Sequence, residues 1–79
     1  MDEQRIRWLC RRGMKELDVM LARYLDARWT DAPAPERAAF ASLLELQDPV
    51  LWDLLLGRGA VADVAQDDVA QRIRALSGL

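Results

Sequence analysis

Histidine is absent from this 79-residue chain, and cysteine occurs once, at position 10. Those two shortages remove intramolecular disulfides, zinc sites of the usual Cys/His kind and every His-based triad, and with them most hydrolytic and redox chemistry. Glycine is scarce too, paired in GRG at 57–59 and single at 13 and 78, so neither a GxGxxG fingerprint nor a Walker loop exists. No apolar run approaches the roughly 18 residues of a membrane span, so no direct membrane insertion is expected. The opening MDEQ has neither the apolar region of a secretory signal nor the acid-poor character of a transit peptide. These features point to a protein of the bacterial cytoplasm. Strand-like alternation and internal repeats are also missing.

What is present favours helices. The chain is 52% hydrophobic and rich in Ala, Leu, Asp and Arg. We expect an all-α fold, a compact five-helix bundle forming a single small domain over residues 1–79. Its core should be thin, because a chain this short buries only around 60% of its unfolded surface. The first helix is expected over residues 2–11, with Ile6, Leu9 and Cys10 on one face and Trp8 off it. A central helix follows from Met14 to about Arg28, its stripe made by Leu17, Leu21, Tyr24 and Leu25 and widened by Val19 and Met20. WTDAPAP reads as a loop. A third helix spans 35–46, with Pro35 near its start. A fourth has Asp48 as N-cap, Pro49 at its first position and Gly57 at its end. A fifth spans 66–76, with Val69, Ile73 and Leu76 in register.

The net charge is −2, which argues against nucleic acid as a partner. Its distribution is uneven. Residues 1–15 hold five cations against two acids, and the remainder holds six cations against eleven acids. Acidic pairs such as Glu16 with Asp18, or Asp67 with Asp68, do not share a helical face and suit helix-end electrostatics better than catalysis. Cys10 has Arg7, Arg11 and Arg12 nearby, which would lower a thiol pKa, but its stripe position fits a small buried hydrophobe. Three tryptophans, at 8, 29 and 52, are many for so small a core, so at least one suits an interface.

RRGMKELD at 11–18 breaks the helical pattern. Glycine costs about 1 kcal/mol in a helix interior, so Gly13 needs a boundary or a close partner. One reading places Gly13 at the N-cap of the second helix, with Glu16 reaching back as in a capping box. That reading leaves Arg11, Arg12 and Lys15 crowded at a helix N-terminus, where the dipole disfavours cations. The other reading turns the glycine and arginine forks outward, toward a partner's carboxylates, phosphates or carbonyls.

WLCRRGMKELD at 8–18, followed by FASLLELQDPVLWDLLLG at 40–57, resembles the SdhE family of flavinylation factors, the FAD assembly factors of succinate dehydrogenase. The resemblance runs from about residue 3 to residue 75. Its core is RGxxE, here Arg12, Gly13 and Glu16, supported by Trp8, Cys10, Arg11, Met14 and Asp18 and by the downstream LLE and DP. Many bacterial members carry another acid where this chain has Val50, and the aromatic at Trp52 varies; neither touches RGxxE.

The resemblance implies a protein that is not an enzyme. It would bind the flavoprotein subunit of succinate dehydrogenase, with fumarate reductase flavoproteins as further candidate clients, and promote covalent attachment of FAD. The flavin ends on the client, and no cofactor stays firmly bound to this chain. The residues it marks for partner binding are Arg12, Gly13 and Glu16, with Arg11, Asp18 and Trp8 beside them. A direct FAD carrier, using Trp8 as a platform, and a generic helical adaptor are the alternatives.

Overall fold

A computed structural model describes residues 2–58 and 63–78. Its helices are α1 (Glu3–Leu9), α2 (Lys15–Tyr24), a π-helical turn (Leu25–Trp29) continuing α2, α3 (Ala34–Leu43), α4 (Asp48–Leu55) and α5 (Val64–Leu76). Five α-helices and no strand among the described residues make this the expected all-α, single small domain.

Local chemistry sets the ends. Asp2 caps α1 by accepting from the Arg5 N–H at 2.8 Å. Pro35 and Pro49 lie in the first turns of α3 and α4, where a missing N–H costs nothing. Gly57 ends α4 in the left-handed region, with φ +78°. Asp63 caps α5 through the N–H groups of Ala65 and Gln66, so this helix starts two residues before its expected beginning. Gly59, the second glycine of GRG, lies outside the described residues.

The expected stripes meet in one core. Ile6 and Cys10 from α1, Leu17, Met20, Leu21 and Tyr24 from α2, Phe40 and Leu43 from α3, Leu51 and Leu55 from α4, and Val69 and Ile73 from α5 are buried together. Each fully buried large aliphatic or aromatic side chain contributes roughly 1.5–3 kcal/mol. Tyr24 and Phe40 stack with ring centroids 4.5 Å apart, and Trp29 lies 5.9 Å from Phe40. The central position expected of residues 14–28 is shared, because α5 packs against α2, α3 and α4.

Other expectations change, and α1 and α3 end at Leu9 and Leu43, short of the expected 11 and 46. Trp29 belongs to the π-turn and is buried, so the loop begins at Thr30. Val19 and Leu76 are each 41% exposed, because their Cβ directions fall at the rim of the stripe. Gln47, with no side-chain cap bond, precedes α4, and the Asp48 carboxylate turns elsewhere.

One polar cluster fastens three helices outside the core. The Glu36 carboxylate on α3 accepts a fork from Arg28, Nε and Nη2 each at 2.9 Å, and a bond from the Tyr24 hydroxyl, with Arg72 of α5 3.7 Å away. The Arg28 hydrogen bonds hold Glu36 below the usual carboxylate range. Burial, with the carboxylate alongside, raises the Tyr24 hydroxyl far above its ordinary value.

Candidate functional site

The interruption at RRGMKELD is a turn, built from its backbone outward. Cys10 closes α1 and the Arg11 N–H bonds the Trp8 carbonyl at 3.1 Å. Gly13 then takes φ +85°, a conformation costing an L-residue about 1–2 kcal/mol. Nothing lies within 4 Å of where a Cβ would stand there. Within this chain the glycine is therefore required by conformation alone, and the space above it is open.

The capping box is absent. Met14 is the residue before α2, which puts Glu16 at the second helical position, one short of where a capping carboxylate reaches back. Asp18 does the work from two residues further on. Its Oδ1 accepts from the Arg12 N–H at 2.8 Å and its Oδ2 from the Gly13 N–H at 3.3 Å. Both carboxylate oxygens of Asp18 thus serve the turn, while Glu16 is exposed and makes no side-chain hydrogen bond or ion pair among the described residues.

Arg12 does not face outward as the second reading expected. Its side chain is only 13% exposed and crosses to the α3–α4 corner. Nε donates to Asp48 Oδ1 at 2.7 Å, Nη1 donates to the Leu44 carbonyl at 2.7 Å, and Nη2 donates to the Leu46 carbonyl. Leu44 ends α3, so the guanidinium neutralises the negative end of a helix dipole while filling three acceptor sites. That destination removes one of the crowded cations: Arg12 is spent at the C-terminus of α3, while Arg11 and Lys15 stay exposed near the start of α2. A planar five-donor fork fits this corner, and a lysine would not.

Exposed around the turn are Trp8, at 68%, and Arg11, Gly13, Lys15 and Glu16. Beside them a shallow groove of about 500 Å³ is lined by Cys10, Arg11, Gly13, Asp18, Val19 and Ala22. Of the residues singled out in the sequence, Arg11, Gly13 and Asp18 line this groove, Glu16 lines a neighbouring one, Trp8 is exposed but lines neither, and Arg12 holds the turn from within. Burial pushes the Cys10 thiol up to about 11 despite Arg12 and Arg7 nearby, in keeping with its place in the core. Asp48 is the residue whose role went unread, since an Asp before Pro at a helix start signals a cap and nothing local points to Arg12.

No helix among the described residues is long and apolar enough to cross a membrane. Fold and turn together define a small helical protein that presents a rigid, charged turn on its surface. The chain matches, over residues 4–77, the family described as the flavinator of succinate dehydrogenase, and belongs to it. This is a family of assembly factors, not of enzymes. Among its relatives are proteins named FAD assembly factor SdhE from three bacteria. That of Methylococcus capsulatus is 46% identical over 74 residues, covering 94% of this chain and 89% of the relative. That of Xylella fastidiosa is 40% identical over 72 residues, covering 91% and 74%. That of Coxiella burnetii is 36% identical over 74 residues, covering 94% and 90%.

Proposed function

We propose that this protein is an FAD assembly factor for succinate dehydrogenase, which docks on the flavoprotein subunit through the face carrying Trp8, Arg11, Gly13 and Glu16. Docking promotes covalent attachment of FAD to that subunit. The observation that carries this reading is the turn itself: a glycine at φ +85° with open space above it, fixed from below by Asp18 and Arg12. Such a turn lets a partner backbone approach closely without the cost of ordering a loop on binding. Exposed Glu16 and Arg11 flank the approach and select its polarity.

The role is chaperone-like. The bound turn favours the client conformation in which the client's own groups form the bond to FAD, so nothing on this chain need act as nucleophile. The proposed setting is the bacterial cytoplasm. The relatives' names speak of FAD and the family's of succinate dehydrogenase, so the proposal is confined to that client and leaves fumarate reductase aside. The test is flavinylation of the purified apo-flavoprotein with FAD and this protein. Glu16→Ala and Trp8→Ala, at unchanged unfolding midpoints, should lose the stimulation; full stimulation by both would overturn the reading.

The exposure of Trp8 favours one second reading, direct contact of the indole with the flavin. Titration of free FAD against Trp fluorescence separates the two, since a docking protein without a flavin platform gives no saturable quenching. Trp8→Phe would remove that signal in the carrier reading alone.

A further inference from the structure

The outward side of α2 joins an exposed apolar residue to two cations. Val19 stands 41% exposed midway along it, with Lys15 one turn before and Arg23 one turn after. On the side away from the Cys10–Gly13 groove lies a second one, of about 320 Å³, lined by Lys15, Glu16, Val19, Met20, Arg23, Trp52 and Ser77. It thus draws together α2, half-buried Trp52 of α4 and the C-terminal end of α5. Its volume is at the low end of the roughly 300–1,000 Å³ of sites that enclose a small molecule, which suits one or two side chains better than a dinucleotide.

The charges of this strip are uncommitted. Among the described residues, the ion pairs are those of Arg7 with Glu3 and Asp26, Arg12 with Asp48, Arg28 and Arg72 with Glu36, and Arg58 with Asp53. None involves Arg11, Lys15 or Arg23. Asp18, the other acid in the first turn of α2 besides Glu16, is occupied by two backbone N–H groups. What remains along this groove is two cations, Lys15 and Arg23, against Glu16, on a chain whose net charge is −2. Cations left unpaired around an apolar centre fit a partner that brings carboxylates around an apolar side chain.

Resting on the docking reading above, we propose that the contact surface extends past the turn along α2. In this extension Lys15, Val19, Arg23 and Trp52 take a client segment in which an apolar side chain is flanked by Asp or Glu. The apolar side chain enters the groove between Val19 and Trp52, and the flanking carboxylates meet Lys15 and Arg23. The strip continues the turn's face without a break, because Val19 borders both grooves. The turn then sets where the client is held, and the strip sets which segment of it is held.

The experiment measures binding of the full-length protein to the purified apo-flavoprotein subunit of succinate dehydrogenase at low and high salt. It compares wild type, Val19→Asp, the double variant Lys15→Glu/Arg23→Glu, and Glu16→Ala. All substituted positions are exposed, and circular dichroism with urea unfolding checks each fold. We expect Val19→Asp to weaken binding by about tenfold or more, as for a charge placed in the desolvated centre of an interface. The double reversal should weaken it similarly and flatten its salt dependence. Binding by both variants within about twofold of wild type, while Glu16→Ala loses it, would overturn this inference and leave the turn's role standing. Absence of binding by the wild-type protein would overturn both.

Discussion

Arg12 Nε donates to Asp48 Oδ1 at 2.7 Å across 36 positions of sequence, tying the turn before α2 to the first residue of α4. With its bonds to the Leu44 and Leu46 carbonyls, this makes the arginine of RGxxE a clasp inside the fold. Arg12→Ala should therefore cost stability, about 2–4 kcal/mol, by stranding a carboxylate and two carbonyls. Urea unfolding checks this. Arg12→Lys should recover less than half of the loss, because one ammonium cannot meet three diverging acceptors.

Glu16 should behave in the opposite way, and Gly13 should combine a backbone cost with an open contact surface. Glu16→Ala is expected to move stability by less than about 0.5 kcal/mol, as at other exposed positions without an internal partner. Gly13→Ala should lose about 1–2 kcal/mol from its φ alone, and Gly13→Asn less, since asparagine visits the left-handed region more readily. If a client backbone needs the space above Gly13, Gly13→Asn will keep the fold and lose client flavinylation. Thermal melts beside the flavinylation assay separate the two effects.

Acid should loosen the junction of α2, α3 and α5. Arg28 and Tyr24 hold the folded Glu36 below the ordinary 4.5 of a glutamate. The stabilisation is present above that unfolded value and is lost as pH falls below it through the folded one. Glu36→Gln should be less stable than wild type at neutral pH by about 1–3 kcal/mol, with the gap narrowing as pH falls below 4.5. Urea midpoints of both proteins from neutral pH to pH 3 would show it; a gap independent of pH would refute the assignment.

The buried thiol gives a probe of opening. With its pKa pushed up to about 11, Cys10 should react with iodoacetamide far more slowly than a free thiol at neutral pH. The rate should rise in step with urea unfolding. Fast labelling of the native protein would mean that α1 detaches locally.

The helices and their buried faces were legible because 3.6-residue periodicity, prolines in first turns and glycine at an end are local signals. The site was legible only in part. The boundary before α2 lies one residue later than the capping-box reading requires, and that single step passes the capping role from Glu16 to Asp18. The path of Arg12 could not be read, since its acceptors lie 32 to 36 positions away and two of them are backbone carbonyls. Leu76 fits the α5 stripe by spacing, yet the helix end overhangs the core.

The π-turn at Leu25–Trp29 was invisible in the pattern, being one turn long. It holds one residue more than an α-turn, and across it Tyr24 and Arg28 both reach Glu36 while Leu25 and Trp29 both face the core. Removing a single residue here would restore ordinary helical hydrogen bonding and be taken up by the turn itself, leaving the chain on either side in place. Exposed Ala27 is where such a deletion would remove no buried side chain. At this point of the chain, length is less constrained than in the helices on either side.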